Sequence, residues 1–225
     1  MAVDDLQPAT GRTDHVQPDS RENRVTLGMK LLLALGTMIT GLSLAQDVQG
    51  LYDPAPPAGS AFVRVLNASV ATLGGKAVTS GAGAASAYVV IPQGGFDAKL
   101  GALNGKLTAE AGKFYSVFQS GGKLTLLTDQ AADNRAKALL TIYNLSKNPA
   151  VDLKTADGKT AVVVGVKPGQ SGSRAVNGIT VELAAFAGTK SLGSLKSMAL
   201  ERGSAYAIVV TDSGVTMTTS STKTK

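Results

Sequence analysis

The chain contains the same short strand-and-turn pattern at two places, and this repetition most constrains its fold. Residues 62–69 read "FVRVLNAS" and residues 139–146 read "LLTIYNLS", so each apolar run passes into Asn-x-Ser. A second motif, with glycine three residues before tyrosine, recurs at Gly112 and Gly203. The opening strands lie 77 residues apart and the glycine motifs 91 apart, so the second half carries about 14 additional residues. We therefore predict two related units that arose by internal duplication.

The spacing of turn residues predicts that both units are built from β-strands. Short apolar segments rich in Val, Thr and Ala are separated by glycine turns, and the chain has 26 glycines. Gly74-Gly75 and Asp157-Gly158 have the composition of two-residue hairpin turns. Turn signals that recur about every 8–12 residues are typical of small sandwiches. We predict an all-β fold of two tandem small antiparallel β-sandwich units related by internal duplication.

The N-terminal part has the pattern of a cleavable signal peptide. Lys30 precedes an apolar run over residues 31–44, and small residues lead to a cleavage site after Ala45. The run is shorter than the roughly 20 apolar residues that span a membrane, although an uncleaved anchor or a buried helix are the alternatives. Residues 1–28 are polar and acidic, unlike a signal-peptide start. We expect this segment to be disordered and Met29 to be the true start, with a long cytoplasmic extension as the alternative.

These patterns divide the chain into seven predicted segments. The predicted order is an upstream segment 1–28, a signal peptide 29–45, a Pro/Gly-rich leader 46–60, a first sandwich 61–129, a linker 130–138, a second sandwich 139–220 and a disordered tail 221–225.

Two residue types that carry much of enzyme chemistry are missing from the predicted mature chain. The chain has no cysteine, and its single histidine, His15, precedes the signal peptide. Ser-His-Asp triads, Cys-His pairs and histidine-based metal sites are therefore excluded, and we predict no catalytic residues, cofactor or metal. After Ala45 the net charge is +7, dispersed along the chain. This surplus predicts weak attraction for polyanions, without the clustered cations that nucleic-acid binding requires.

Exposed aromatic side chains are the usual means by which sandwich modules bind sugars, and the chain has no tryptophan. The candidate contact residues for a partner or polymer are Tyr52, Phe62, Arg64 and Tyr143. If the neighbouring aliphatic residues face each core, then Phe62, Arg64 and Tyr143 point away from it. Two interpretations stay open: these residues form a binding face, or they pack at the interface between the units.

The repeated Asn-x-Ser also has two interpretations. Asn67 and Asn144 each match the acceptor sequence for N-glycosylation. Asn and Ser at a strand end can instead bond to the backbone and stabilise a turn, which is the interpretation that their paired position favours.

Three longer stretches resemble the AlgF family of periplasmic alginate O-acetylation proteins. They are "LYDPAPPAGSAFVRVLNAS" at 51–69, "LKTADGKTAVV" at 153–163 and "MALERGSAYAIVVT" at 198–211. The resemblance implies a periplasmic, non-catalytic accessory protein that bridges components of an acetylation complex. The implied partners are SGNH-type (serine-hydrolase) acetyltransferases and a membrane-bound O-acyltransferase, with alginate as a further candidate. The alternatives are a tandem carbohydrate-binding module that binds the anionic polymer directly, and an enzyme that uses carboxylates.

Overall fold

The computed structural model describes residues 55–220, and within this range the chain forms sixteen β-strands and no helix. The first unit comprises β1 Ser60–Val65, β2 Ala71–Leu73, β3 Lys76–Val78, β4 Val89–Pro92, β5 Gly94–Leu100, β6 Leu103–Ala109, β7 Phe114–Ser120 and β8 Lys123–Asp129. The second comprises β9 Ala138–Asn144, β10 Val151–Thr155, β11 Ala161–Val166, β12 Ser171–Val176, β13 Thr180–Ala187, β14 Lys190–Ala199, β15 Ala205–Thr211 and β16 Gly214–Ser220.

Several predicted features lie outside the described residues. These are the upstream segment, the signal peptide with its cleavage site, the leader up to residue 54 with Tyr52, and the tail 221–225. Within the described range there is no helix of sufficient length and hydropathy to span a membrane.

The two units share one strand topology. In the first unit the sheets have the orders β4-β1-β7-β8 and β3-β2-β5-β6. In the second they have the orders β12-β9-β15-β16 and β11-β10-β13-β14, so every strand has a counterpart eight strands later. This confirms the predicted all-β fold of two tandem sandwich units related by duplication.

Ten of the twelve strand pairs in the described range are antiparallel, and one pair in each unit is parallel. The parallel pairs are β1 with β7 and β9 with β15. Parallel neighbours need a long crossover connection, which β2 to β6 and β10 to β14 provide; these strands build the opposite sheet, except for β4 and β12, which pair with β1 and β9. The sequence signals for hairpins are local, so they do not predict such crossovers.

Three apolar layers hold four sheets in one stack. Val63, Val65 and Phe96 belong to the core of the first unit, and Leu140 and Leu183 to that of the second. A third buried cluster joins the β4-β1-β7-β8 sheet to the β12-β9-β15-β16 sheet, which we call the inner sheets. The members of this third cluster are Leu66, Ala85, Phe118, Tyr143, Ala207 and Val209.

The glycine–tyrosine motif closes an equivalent turn in each unit. Gly112 and Gly203 have φ angles of +75° and +76°, which glycine adopts without steric cost. In the second unit the Tyr206 hydroxyl accepts a hydrogen bond from the backbone N–H of Glu201 at 2.8 Å. The Tyr115 hydroxyl does the same for the N–H of Glu110 at 3.1 Å. The motif therefore fixes the entry of β7 and β15, the central strands of the inner sheets.

Both Asn-x-Ser asparagines bond to the backbone, Asn144 within its own turn, as the turn interpretation predicts, and Asn67 to a loop sixteen residues farther along the chain. Asn144 is fully buried, and its Oδ1 accepts hydrogen bonds from the N–H and the hydroxyl of Ser146. Its Nδ2 donates to the carbonyls of Asn148 and Val166. Asn67 is exposed, has a φ of +52° and accepts a hydrogen bond from the N–H of Gly83.

We expect the two asparagines to differ in their effect on stability. Asn144→Ala leaves buried groups of Ser146 and Val166 unpaired, so the free energy of unfolding should fall by roughly 3 kcal/mol. Asn67→Ala, the matched control, loses one partly buried hydrogen bond and places alanine at a positive φ, which should cost about 1 kcal/mol. Urea unfolding of both variants measures the difference, and equal losses would contradict it.

Candidate functional site

The candidate residues Arg64 and Tyr143 meet in the interface between the two units. Arg64 is 2% exposed and Tyr143 is 0% exposed, whereas Phe62 is half-buried. Val63 and Val65 face the first core, so alternation along β1 turns Arg64 toward the second unit. The structure thus places Arg64 and Tyr143 where the interface interpretation expects them.

Arg64 is held by four partners through its guanidinium group. Its Nε donates to Ser116 Oγ at 2.9 Å, and its Nη1 donates to Ser220 Oγ at 2.5 Å. Nη2 donates to Tyr143 Oη at 2.5 Å and lies 3.5 Å from Asp129 Oδ2. Because Ser220 and Tyr143 belong to the second unit, this one side chain bonds across the interface twice.

Asp129, the last residue of β8, is the anionic centre of the cluster. Its Oδ2 accepts hydrogen bonds from Tyr88 at 2.7 Å and from Ser116 at 2.6 Å. Its Oδ1 accepts one from Tyr143 at 2.6 Å, so the Tyr143 hydroxyl accepts from Arg64 and donates to Asp129. No buried side-chain nitrogen or oxygen in residues 55–220 is left without a hydrogen-bond partner. This satisfaction is what makes a buried charge pair tolerable.

Aromatic rings enclose the cation. The guanidinium carbon of Arg64 lies 4.5 Å from the ring centre of Tyr88 and 5.4 Å from that of Tyr143. Phe114 packs edge-on against Tyr88 and stacks on Phe62 at a centroid distance of 4.6 Å. Phe62 therefore packs at the edge of the cluster, through its contact with Phe114.

The cluster fixes the charge state of its members. Burial, reinforced by the Asp129 carboxylate, raises the pKa of Tyr88 and of Tyr143 well above the ordinary value for tyrosine. Burial acts to lower the pKa of Arg64, but Tyr143, Tyr88 and Asp129 together outweigh it and raise that pKa. A cation and two neutral phenols therefore persist across the physiological range.

The cluster forms once, because the equivalent positions of the two units have diverged. Strand register makes Thr141 the counterpart of Arg64 and Leu66 the counterpart of Tyr143. The first unit thus contributes the ion pair, and the second contributes the phenol that completes it. Asp129 itself corresponds to Ser220, since each pairs with the first residue of β7 or β15.

Beside the cluster lies a small pocket at the end of the interface. It is lined by Asp129, Gln130, Ala131 and Ala132 from one side and by Ala205 and Ser220 from the other. Its free volume of about 10 Å³ is close to the minimum that holds one water molecule. Within residues 55–220 no group of three or more acidic residues is placed to hold a metal ion.

The contact residues predicted from the sequence do not include three members of the cluster, Asp129, Ser116 and Ser220. The available signal was Arg64 itself, a cation within the apolar run "FVRV", which needs a carboxylate if that strand is covered on both faces. Asp129 ends the run "KLTLLTD", but 65 residues separate it from Arg64, and only the parallel crossover brings them together.

We expect removal of Arg64 to be severely destabilising and a second change, at Asp129, to reverse part of the loss. Arg64→Met leaves the Asp129 charge buried without its cation, which should lower the free energy of unfolding by about 3–5 kcal/mol. The double variant Arg64→Met with Asp129→Asn should recover part of this loss, as a double-mutant cycle measures. Breaking the exposed pair Lys113–Glu110 is the control and should leave the unfolding midpoint unchanged within error. Additive losses at Arg64 and Asp129 would contradict the coupling.

We also expect a loss of stability at alkaline pH. Unfolded tyrosines titrate near pH 10, whereas folded Tyr88 and Tyr143 keep their protons above it. The folded chain then binds more protons, so the free energy of unfolding falls as the pH rises beyond about 10. The double variant Tyr88→Phe and Tyr143→Phe should be less stable at pH 7 but show a flatter decline from pH 9 to 11. A decline as steep as in the unaltered chain would exclude these two phenols as its source.

Comparison with known proteins agrees with the resemblance found in the sequence. A family model described as "Alginate O-acetyl transferase AlgF" matches residues 31–207. The alginate biosynthesis protein AlgF of Pseudomonas fluorescens is 39% identical over 194 residues, which cover 84% of this chain and 89% of that protein. The AlgF proteins of Azotobacter vinelandii and Pseudomonas aeruginosa are each 36% identical, covering 85% and 82% of this chain and 90% and 88% of their own length.

A solved structure of the C-terminal domain of AlgF from P. aeruginosa is also similar, at 39% identity. It covers 38% of this chain and 97% of that domain, with a TM-score of 0.33. The family match spans most of the chain, and this protein therefore belongs to the AlgF family.

Proposed function

We propose that this chain is a non-catalytic periplasmic adaptor for O-acetylation of alginate or a similar polyuronate. It would bridge SGNH-type acetyltransferases and the membrane-bound O-acyltransferase of the same pathway. Membership of the AlgF family supports the pathway, and the signal-peptide pattern over residues 29–45 supports the compartment.

The observation that carries the proposal is the arrangement of four sheets in one stack. The inner sheets are buried against each other, so the β3-β2-β5-β6 and β11-β10-β13-β14 sheets present their free faces in opposite directions. Packed sheets are about 10 Å apart, which separates these two faces by roughly 30 Å. Two partners can therefore contact the chain at once without contacting the same surface.

The two outer faces differ in chemistry, which suits unlike partners. On the first unit an open groove is lined by Thr72, Asp97, Lys99, Asn104 and Lys106. On the second unit Lys154 pairs with Asp152 at 3.0 Å and lies 5.6 Å from the ring centre of half-buried Phe186. The first face is polar and open, and the second offers a partly covered aromatic surface.

The residue inventory favours contact over catalysis, although the family description names a transferase. Residues 16–225 contain neither histidine nor cysteine, so a serine nucleophile lacks its usual base. In the buried cluster, the hydroxyls of Ser116 and Tyr143 both donate to Asp129. That carboxylate also carries the ion pair with Arg64, which opposes a role as general base.

A second candidate is a tandem carbohydrate-binding module. Lys99 and Lys106, which line the open groove of the first unit, favour it because both are exposed and could contact the carboxylates of a uronate chain. In this case the chain would bind the polymer without any protein partner.

One set of measurements separates the two candidates. For an adaptor, deleting the gene should leave polymer production intact but remove its acetyl groups, and the purified chain should co-purify with a pathway acetyltransferase. Tight binding of oligouronate by the isolated chain, without such a partner, would favour the module. Acetyl-ester turnover by the isolated chain would contradict both.

A further inference from the structure

Four cationic side chains surround one end of the second unit, where the segment after β8 enters β9. Arg135 and Lys137 lie in that segment, Arg174 lies on β12, and Arg202 lies in the turn before β15. We call these four residues the basic patch. Neither the proposed function nor the buried cluster uses them.

Backbone and side-chain contacts bring two of these positions, Lys137 and Arg202, together. The Lys137 carbonyl accepts a hydrogen bond from Gly203 N–H, and Lys137 Nζ donates to Asn177 Oδ1 at 2.6 Å. A Cβ atom at Gly178 would lie 2.9 Å from Arg202 Cγ, so the Arg202 side chain crosses the backbone next to Asn177. The patch is therefore contiguous although its members come from three segments of the chain.

Arg174 and Arg135 complete the patch on either side. β12 pairs with β9, with Arg174 opposite Leu140 and Val176 opposite Ala138, the residue after Lys137. The carbonyl oxygen of Arg135 would lie 3.5 Å from a Cβ at Gly203.

Among residues 55–220, no carboxylate lies within ion-pair distance of a patch cation. The five ion pairs found in residues 55–220 include none of these four residues. Two acidic residues, Asp133 and Glu201, lie within two sequence positions of Arg135 and Arg202. Neither places a carboxylate oxygen within 4.0 Å of a patch cation. Arg174 Nη1 donates to the carbonyls of Ala161 and Val162, which leaves its other N–H groups for a ligand.

Two adjoining hollows lie beside the patch: Lys137 and Ala175 line both, Arg174 lines the larger one, and Arg135 and Arg202 line neither. One, of about 300 Å³, extends over residues 160–162 and 174–177, and the other, of about 160 Å³, over residues 130–134. Their walls carry amide, hydroxyl, ammonium and guanidinium groups and one carboxylate, that of Asp133, and no Phe or Tyr among the described residues lines either hollow. A sugar ring would have no aromatic face to stack on.

We infer that this groove docks an acidic segment of a partner protein. Three of the four cations are arginines, whose planar donors bind carboxylates in pairs. Unpaired positive charge beside a polar groove suits Asp- and Glu-rich polypeptide, and the missing aromatic face disfavours a polysaccharide. The inference rests on the proposed adaptor role, since an adaptor needs a surface that selects a protein.

A labelled peptide of alternating Glu and Ser, with four Glu, tests the inference against the full chain by fluorescence anisotropy. The variant R135Q/K137Q/R174Q/R202Q should bind it at least 10-fold more weakly than the unaltered chain. The matched control K123Q/K167Q/K190Q/K196Q loses the same charge at exposed positions elsewhere and should change binding less than 3-fold. Thermal melts of both variants verify folding.

Three outcomes would overturn the inference. If both variants weakened binding equally, net charge rather than the basic patch would account for the binding. If the peptide did not bind the unaltered chain at 50 mM salt, the inferred docking site would be wrong. Tighter binding of an oligouronate with four carboxylates, lost in the patch variant, would make the groove a polymer site.

A co-purification experiment distinguishes this failure from failure of the adaptor role. If the unaltered chain co-purifies with no acetyltransferase, the adaptor role is wrong. If the unaltered chain and the patch variant co-purify with it equally, the adaptor role stands and the docking site is wrong.

Discussion

The ion pair between Arg64 and Asp129 is the interaction on which the arrangement of this protein depends. Both residues belong to the first unit, and both would face water if the second unit were removed. Tyr143 and Ser220 replace that water with hydrogen bonds of defined direction. Since a buried charge tolerates few alternative geometries, the polar cluster restricts how the inner sheets can pack, while the apolar contacts around it supply area without direction.

This restriction turns two small sandwiches into a single body with defined outer faces. Each unit alone would be only marginally stable, because short chains bury a modest share of their surface. The third apolar layer, with Phe118, Ala207 and Val209, adds to both cores. As a consequence, neither inner sheet is free, and a partner would have to contact the outer sheets or the ends of the units.

The strands, turns and duplication could be predicted from sequence because their signals are local. Turns can be predicted from a few neighbouring residues. Examples are the glycines Gly112 and Gly203 and the pair Asp157-Gly158, which stands between two alternating runs. The parallel crossovers could not be predicted, because they depend on how the strands are divided between the two packed sheets of each unit. Alternation places Arg64 on the face away from the core but does not say what covers that face, and so the sequence left both a binding face and an interface open. In the structure, residues far along the chain, such as Asp129 and Ser220, contact Arg64.

The unequal positions in the two units also determine which surfaces recognise each other. In a pairing of two first units from separate molecules, Leu66 would stand where Tyr143 stands now, and each Asp129 would lose a donor. A pairing of two second units would bring Thr141 opposite a sheet with no carboxylate at the position of Asp129, because Ser220 occupies it. Each inner sheet is therefore matched to the unlike unit, and duplication followed by divergence has made each of these surfaces selective against a unit of its own kind.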